Sequence, residues 1–260
     1  MRPLELILIN GQLSGGTTKP LDIWAANEYR NEGRYVVKSF KDGFVNNYST
    51  AKEIIACEVA VKFDIPTPAY GIIDITDEDL LTQYPDNEFR KIQKGYKFCS
   101  KFMEQYAMFN PLVSNTFLRQ YDIENIFAFD FMMLNSDRGG FHNKPNLLIN
   151  DDELIIIDHE LTLPFINDKT KVFDYERSLN NYPYQKHTLL NHVKSIKSKN
   201  HIFDEFLEIL SRSNFETLNS VFDDMDTYNI NYGDRADYLN YFNWCKQNTE
   251  IIRKHLLLTI

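Results

Sequence analysis

The spacing of apolar residues divides the chain into a strand-rich first part and a helix-rich second part. Short apolar runs between polar turns predict strands at 4–9, 21–27, 33–40, 70–75 and 97–102. One helix is predicted among them, over 50–63, where two prolines follow an apolar stripe at helical spacing. Later stripes predict helices at 122–134, 184–197, 202–211, 215–222 and 238–258. The change near residue 103 predicts an α+β fold with two lobes.

A hairpin is predicted within this helical part, in residues 135–160. Leu147–Ile149 and Leu154–Ile157 are short apolar runs, and Asn150–Asp152 between them is typical of a tight turn. Before the hairpin, the helix over 122–134 carries one acid in its apolar stripe, Asp130. Its residue type favours a surface-facing or helix-ending position.

Polar residues flank the predicted hairpin. Asn146 enters the first strand and Asp158 leaves the second, so we expect both at the same end. Asp137 lies on the loop just before. One candidate general base and two oxygen ligands are the groups that Mg²⁺-assisted phosphoryl transfer requires. We expect Asp158, His159 and Glu160 to be strand neighbours that point to opposite faces, which does not favour a His- or Cys-based metal site.

A glycine-rich segment follows the first strand. Gly15 and Gly16 would let backbone N–H groups approach an anion, and Thr17 would add a hydroxyl donor. Taken alone, the segment is more typical of an ordinary hairpin turn, and no GK[ST] sequence completes a Walker A motif.

Two charged residues in the first part have alternative interpretations. Lys38 stands alone in an apolar strand, where it either faces solvent on an edge strand or points at nucleotide phosphates. Glu53 is expected in the first turn of the helix over 50–63, as in a capping box. It either stabilises the helix dipole or pairs with Lys38 and holds it in place.

The strand over 97–102 is expected to run into the connection between the two lobes. Its residues Cys99 and Lys101 are therefore candidates for the backbone that would bond an adenine edge.

Composition and charge narrow the class of protein. The 260 residues are 43% hydrophobic and 25% charged, which is ordinary for a globular protein. The net charge of −9 argues against nucleic-acid or acidic-membrane binding through the whole surface, because those partners require a basic face. No run approaches the roughly 18 apolar residues of a membrane helix, and no signal-peptide cleavage site is present. Three cysteines without paired spacing favour a cytoplasmic protein with reduced, buried thiols.

In chain order, these segments resemble the HipA-like kinases, in particular the short, single-module HipA-like domains. The matching pieces are GGTTKPLDI, GRYVVKSF, KEIIACEVAVKFDIPTP, NSDRGGFHNKPNLLI and LIIIDHE. They cover about residues 11–160, and the later helices match only in general character. The resemblance implies one protein-kinase-like domain over 1–260, with an antiparallel-sheet N-lobe over about 1–103 and a mainly helical C-lobe over about 104–260.

The same resemblance gives the candidate residues specific roles. Asp137 looks like the catalytic aspartate, which orients or deprotonates the acceptor hydroxyl, and Asp158 like the metal-binding aspartate after the hairpin. Lys38 looks like the phosphate-binding lysine and Glu53 like its partner. The glycine-rich loop would cover the nucleotide phosphates. ATP and Mg²⁺ are the implied cofactors.

The segment after Asp137 departs from the family pattern. The family usually has an asparagine five residues after the catalytic aspartate, and here the loop is longer, so Asn143 and Asn146 compete for the metal role. We prefer Asn146, because it directly precedes a strand that fixes the direction of its side chain.

The resemblance favours an ATP-dependent kinase that acts on a serine or threonine of a protein. The alternative enzyme is a small-molecule kinase of the aminoglycoside-phosphotransferase type, although that family usually has a histidine where Ser136 stands. The non-enzymatic alternative is a nucleotide-binding pseudokinase or partner protein, against which the retained lysine–glutamate pair and both aspartates argue. Longer HipA-like toxins meet an antitoxin through an additional N-terminal region, whereas this sequence starts close to the glycine-rich loop. An antitoxin-like partner is therefore possible but is not assumed. No direct nucleic-acid or membrane partner is expected.

Overall fold

The computed structural model describes residues 1–13, 20–38, 48–76, 78–79, 95–139, 144–167, 173–196 and 199–260. These residues form two compact units. The first, called the barrel unit here, comprises Met1–Ile54, Pro68–Glu104 and Asn219–Tyr232. The second, called the helical unit, comprises Ile55–Thr67, Gln105–Leu218 and Gly233–Ile260.

Five strands close into a barrel in the first unit. They are β1 (Pro3–Gln12), β2 (Leu21–Ala26), β3 (Glu32–Val37), β4 (Tyr70–Asp74) and β5 (Tyr96–Lys101). The strand order is β1-β2-β3-β5-β4, and the barrel closes by a parallel pairing of β1 with β4, whereas the other neighbours are antiparallel. The strands predicted from apolar runs are therefore present, although β3 ends at Val37 rather than at residue 40.

Alternating residues of the strands fill the barrel. Leu21, Ile23 and Ala25 of β2 show the period of two that a strand with one inward face requires. The cluster they join consists of Ile9, Leu21, Ile23, Ala25, Val37, Ile73, Ile75 and Cys99. Each large side chain buried in this way contributes about 1.5–3 kcal/mol relative to an exposed one.

Helices dominate the second unit. α1 (Ser49–Lys62) is divided between the two units after Ile54. The elements that follow β5 along the chain are β6 (Ala107–Met108), α2 (Asn115–Leu118), α3 (Ile123–Met132), β7 (Leu147–Ile149), β8 (Leu154–Ile156), α4 (Tyr175–Asn180), α5 (Leu190–Lys194), α6 (Asp204–Arg212), α7 (Leu218–Thr227), α8 (Arg235–Gln247) and α9 (Thr249–Thr259). They belong to the helical unit except α7, which is part of the barrel unit from Asn219 onward. Short 3₁₀ turns occupy Pro164–Asn167, Tyr184–Lys186 and Phe215–Thr217. β6, β7 and β8 form a small antiparallel sheet.

The core of the helical unit forms around α3. Every residue of this helix except Glu124 is buried, so α3 is enclosed on all sides instead of presenting the one apolar face that its sequence predicts. The interpretation of Asp130 as surface-facing or helix-ending is therefore wrong, because its side chain is fully buried inside the helix. Phe129 of α3 meets Phe63 edge to face, and Phe63 stacks on Phe206 of α6.

Two segments that were predicted as single helices are interrupted in the structure. The segment predicted as one helix over 238–258 is divided at Asn248, whose non-helical backbone angles separate α8 from α9. The segment predicted over 184–197 contains only a 3₁₀ turn and the short α5 in its described part. Apolar spacing continues across both breaks, so the pattern alone does not locate them.

The three cysteines are buried, and no disulfide joins them in the structure. Burial raises the pKa of Cys99 in the barrel unit and raises that of Cys245 in the helical unit to about 12. Among the helices that the structure describes, none has the length and apolar character needed to cross a bilayer.

Candidate active site

Lys38 and Glu53 form an ion pair within the barrel unit. The Lys38 Nζ donates a hydrogen bond to Glu53 Oε1, and both side chains are largely removed from solvent. Lys38 follows the last residue of β3, and its backbone N–H donates to Phe98 O of β5 at 3.1 Å. The structure thus brings together the predicted lysine and glutamate and argues against a solvent-facing edge lysine.

Glu53 lies in the second turn of α1, not in the first. The helix begins at Ser49, its first turn holds no acid, and the Lys52 N–H already donates to Tyr48 O. The capping-box and helix-dipole interpretations of Glu53 are therefore wrong. Because only 1% of the Glu53 residue is exposed, its carboxylate depends on partners such as Lys38.

Cys99 and Lys101 occupy different environments on β5. The Cys99 side chain belongs to the barrel core, and its backbone pairs with Val37 on one side and Gly71 on the other. Lys101 is exposed, and its backbone N–H donates to Ala69 O at 2.7 Å. Sheet pairing thus engages the backbone at both positions, and a nucleotide-binding role for them stays a prediction.

Part of the predicted site lies outside the described residues. This applies to Gly15, Gly16 and Thr17 of the glycine-rich loop and to Asn143 of the loop after Asp137.

The hairpin predicted in the helical unit is present. Leu147 pairs with Ile156, and the ladder continues one step, since the Ile157 N–H donates to Asn146 O at 3.1 Å. Asn146 and Asp158 therefore lie at the same end of the hairpin, as predicted. Both residues have positive φ, 48° and 66° respectively, where the chain leaves the extended conformation.

Asn146 holds the carboxylate of Asp137. The Asn146 Nδ2 donates to Asp137 Oδ2 at 2.9 Å and to Asp137 O at 3.2 Å. The Asp137 backbone N–H in turn donates to Asn135 Oδ1 at 3.1 Å. All three residues are buried, so the position of the Asp137 carboxylate is set by hydrogen bonds from both sides of the loop.

Arg138 binds both strands of the hairpin at the end that carries Asn146 and Asp158. Its Nη1 donates to the carbonyl oxygens of Asn146 and Ile157, the latter at 2.8 Å, and Ile157 immediately precedes Asp158. Its Nε and Nη2 donate to the two carboxylate oxygens of Asp130 at 2.7 and 3.1 Å. This fork geometry is specific to arginine, and it joins α3 to the backbone that carries Asn146 and Asp158.

Asp130 stays ionised although its side chain is fully buried. Burial alone would raise its pKa, but the Arg138 guanidinium and the hydrogen bond from His187 hold the pKa well below its ordinary value. The Asn135 Nδ2 adds a fourth hydrogen bond at 2.8 Å. The acid that interrupts the apolar pattern of α3 is thus the anchor of the loop that carries Asp137.

The protonation state of His187 follows from its neighbours. The Leu189 N–H donates to His187 Nδ1 at 3.1 Å, so that nitrogen is an acceptor and the proton lies on Nε2, 3.0 Å from Asp130 Oδ2. Burial lowers the pKa of His187 and outweighs the opposing attraction of Asp130. His187 is therefore a neutral hydrogen-bond donor to Asp130.

A glycine is required where the loop passes close to a second segment. Gly139 has φ of +98°, and a Cβ there would lie 2.4 Å from Lys186 O and 2.9 Å from Thr188 N. The neighbouring Arg138 O accepts from the Thr188 N–H at 3.0 Å. The backbone of residues 186–188 thus packs directly on the loop, which only a residue without a side chain allows.

Glu160 is a candidate that the sequence analysis does not identify. β8 ends at Ile156, so Asp158, His159 and Glu160 do not alternate as strand neighbours, and carboxylate oxygens of Asp158 and Glu160 lie within 4.8 Å of each other. The argument from opposite strand faces is therefore wrong for these residues. The only signal in the sequence is an acid two positions after Asp158.

The donor atoms at this end of the hairpin fit a magnesium ion. Asp158 and Glu160 offer carboxylate oxygens, and Asn146, whose amide nitrogen is bound to Asp137, offers its amide oxygen. Oxygen donors of this kind are what Mg²⁺ prefers. These residues could therefore hold the metal that a kinase requires.

Comparison with known proteins places this geometry in a family. The family model described as HipA-like kinase matches residues 7–227, so most of the chain is covered. The protein belongs to the HipA-like kinases, as its motifs predict, and it is thereby a kinase with a kinase-like α+β fold. Among curated protein sequences, no relative matches the chain.

One solved structure supports the fold. The Helicobacter pylori proinflammatory kinase CtkA is similar with a TM-score of 0.52 at 13% identity, over 97% of this chain and 96% of that one. The MAP kinase LmaMPK10 from Leishmania major is matched over 96% of this chain and 81% of that one, at 10% identity. Its TM-score of 0.29 is too low to support an argument.

Proposed function

We propose that the protein transfers the γ-phosphate of ATP to a serine or threonine hydroxyl of a protein. The observation that carries this proposal is the buried Asp137 carboxylate, fixed by the Asn146 amide at the end of the hairpin that leads to Asp158. A carboxylate held in this way is suited to accept the proton of an acceptor hydroxyl or to orient that hydroxyl.

In this proposal the residues of each unit perform separate parts of the chemistry. Lys38 binds phosphate oxygens, and Glu53 keeps its ammonium in place. A backbone segment near the end of β5 bonds the adenine edge. Asn146, Asp158 and Glu160 hold Mg²⁺, which when bound neutralises charge on the phosphates.

Phosphoryl transfer needs little covalent catalysis by the protein. Positioning of the acceptor hydroxyl against the phosphate can lower the barrier by about 7–11 kcal/mol. The hydrogen bonds that fix Asp137 from Asn146 and the anchoring of the loop by Arg138 supply that rigidity. We therefore assign Asp137 as the residue that touches the acceptor, and Arg138 as a positioning residue.

The test is γ-phosphate transfer from radiolabelled ATP with Mg²⁺, into the protein itself and into proteins of a cell lysate. We expect Asp137→Asn to lower transfer by at least about 100-fold, the lower end of a general-base contribution, while an ATP-induced rise in Tm is retained. Asp151→Asn, an exposed change in the hairpin turn, is the matched control and should leave transfer unaltered.

Three outcomes would contradict this proposal in different ways. No change of Tm at millimolar ATP would exclude nucleotide binding. ATP binding with equally negligible phosphate transfer in the wild type and in Asp137→Asn would identify a pseudokinase. Transfer to small alcohols or aminoglycosides but not to lysate proteins would identify a small-molecule kinase.

A further inference from the structure

A second concave site lies wholly within the helical unit. It is a cavity of about 140 Å³ between the end of α1, the start of α3, the β7–β8 turn and α6. This is below the roughly 300 Å³ at which small-molecule sites begin. The cavity therefore suits a single side chain of a partner better than a nucleotide or a cofactor.

Among the described residues that line this cavity, five are acidic and none is basic. They are Asp64, Asp122, Asp152, Glu153 and Glu205. All five are exposed, and none forms an ion pair with a lysine, arginine or histidine in the part of the chain that the structure describes. Like charges converge here without a counter-charge, which favours a cationic ligand.

The environment of the neighbouring Glu124 shows the same excess of negative charge. Burial raises the pKa of Glu124, and the carboxylates of Asp122 and Glu205 raise it further. Asp122 is also the N-cap residue of α3, yet its side chain makes no capping hydrogen bond. Its carboxylate is thus not committed to the helix terminus.

A buried amide provides an independent observation. Asn125 lines the cavity and is only 6% exposed, and its Oδ1 accepts no hydrogen bond from the described residues. A buried acceptor without a donor is costly and is rare in proteins. A ligand that brings N–H donors into this wall would satisfy it.

The arrangement of the carboxylates favours an extended organic cation over a metal ion. No three acidic side chains of this cavity, all of them in described residues, bring oxygens within 4.8 Å of one another. A divalent ion needs several oxygens at about 2–2.6 Å. The wall also contains Phe63, Ile126 and Leu154, which would contact the aliphatic stem of a long side chain.

We propose that this acidic cavity docks an arginine side chain from a basic segment of a partner protein. The guanidinium presents five N–H donors in a planar fork, enough to reach both the carboxylates and the Asn125 oxygen. The docking requires neither ATP nor phosphate transfer, so it stands independently of the proposed function.

The test uses a fluorescein-labelled seven-residue peptide whose only charged side chains are two arginines. Its matched control carries citrulline at both positions, which keeps the shape and removes the charge. Binding is followed by fluorescence anisotropy without nucleotide, at low and high salt. We expect the arginine peptide to bind and to weaken with salt, and the citrulline peptide not to bind below about 1 mM.

Two double variants locate the site. Asp122→Asn with Glu205→Gln removes two cavity carboxylates and should weaken the arginine peptide about fivefold, the effect of two exposed charge pairs. Glu5→Gln with Glu28→Gln makes the same change of net charge at exposed residues that do not line the cavity, and should alter binding less than twofold.

The results discriminate clearly. If both double variants weakened binding of the arginine peptide equally, the overall charge of the protein would explain the effect, and the docking site would be overturned. No binding of the arginine peptide at about 1 mM would overturn it as well. Tight binding of Ca²⁺ that is lost only in the cavity variant would replace the arginine with a metal ion. Circular dichroism of each variant confirms the fold, which changes at exposed residues should not disturb.

Discussion

The two charged groups of the candidate site are held in place in different ways. In the barrel unit, the Lys38 ammonium at the end of a flexible stem meets a carboxylate of α1. In the helical unit, the planar Arg138 guanidinium contacts both oxygens of Asp130 and two backbone carbonyls, and it is wholly buried. A fork fixed at several points tolerates little displacement, whereas a point charge on a flexible stem adapts to its ligand.

This difference suits the different chemical tasks of the two groups. A lysine that binds phosphate must accommodate a nucleotide that arrives and leaves. The loop that carries Asp137 must hold a carboxylate in one position through each reaction. The contrast therefore predicts that changes at Arg138 act mainly on stability, and changes at Lys38 mainly on nucleotide use.

The largest expected effect is the loss of the Arg138 anchor. Arg138→Met leaves the buried Asp130 carboxylate without its main counter-charge and should lower the free energy of unfolding by about 3–5 kcal/mol. Lys38→Met should cost less, about 1–3 kcal/mol, because its surroundings are less completely enclosed. Urea unfolding of both variants measures the difference. Equal losses would remove the contrast between the two units.

An intermediate effect is expected at the loop glycine. Gly139→Ala should lower the free energy of unfolding by about 1–3 kcal/mol for the positive φ, with more from the clash with Lys186 O. Gly95→Ala is the matched control, since Gly95 also has positive φ, but a Cβ added there would meet no heavy atom within 4 Å. Thermal unfolding of both variants measures the two losses, and their difference gives the effect of the contact with Lys186 O. A control loss as large as that of Gly139→Ala would show that strain alone matters.

The smallest effect concerns pH. Burial lowers the pKa of His187 in the folded state, so unfolding takes up a proton once the pH falls below about 6.5, the value of an unperturbed histidine. Stability should therefore decline as the pH falls from about 7 to the lowered pKa. In His187→Gln this part of the decline should disappear. Unfolding midpoints in urea between pH 5 and 8 provide the measurement, and an unchanged slope in the variant would contradict the neutral imidazole.

Local sequence signals predicted much of the fold and the site. The hairpin and the common end of Asn146 and Asp158 follow from two short apolar runs and one turn, all within a few residues. The pairing of Lys38 with Glu53 was an alternative that chain order favoured. The family was predicted from short motifs in a fixed order along the chain, and the match of the family model to residues 7–227 confirms it.

Contacts between residues far apart in the chain could not be predicted from the sequence. Asp130 disturbs the apolar pattern of α3, but its partner His187 lies 57 residues away and carries no periodic signal. β8 ends at Ile156, and the chain turns to positive φ at Asp158, which apolar residues alone do not indicate. The acidic cavity collects residues from four separate segments, so no single window reveals it.

The buried cysteines give each unit an internal reporter of local opening. Cys99 lies in the barrel core and Cys245 in the core of the helical unit, and burial keeps both thiols protonated near neutral pH. A thiol-specific reagent reacts only with an exposed thiolate, so its labelling rate at each position counts the openings of that unit. Mass spectrometry resolves the labelling rates of the two cysteines. A comparison with and without nucleotide would show whether the nucleotide reduces the opening of the barrel unit, of the helical unit, or of both.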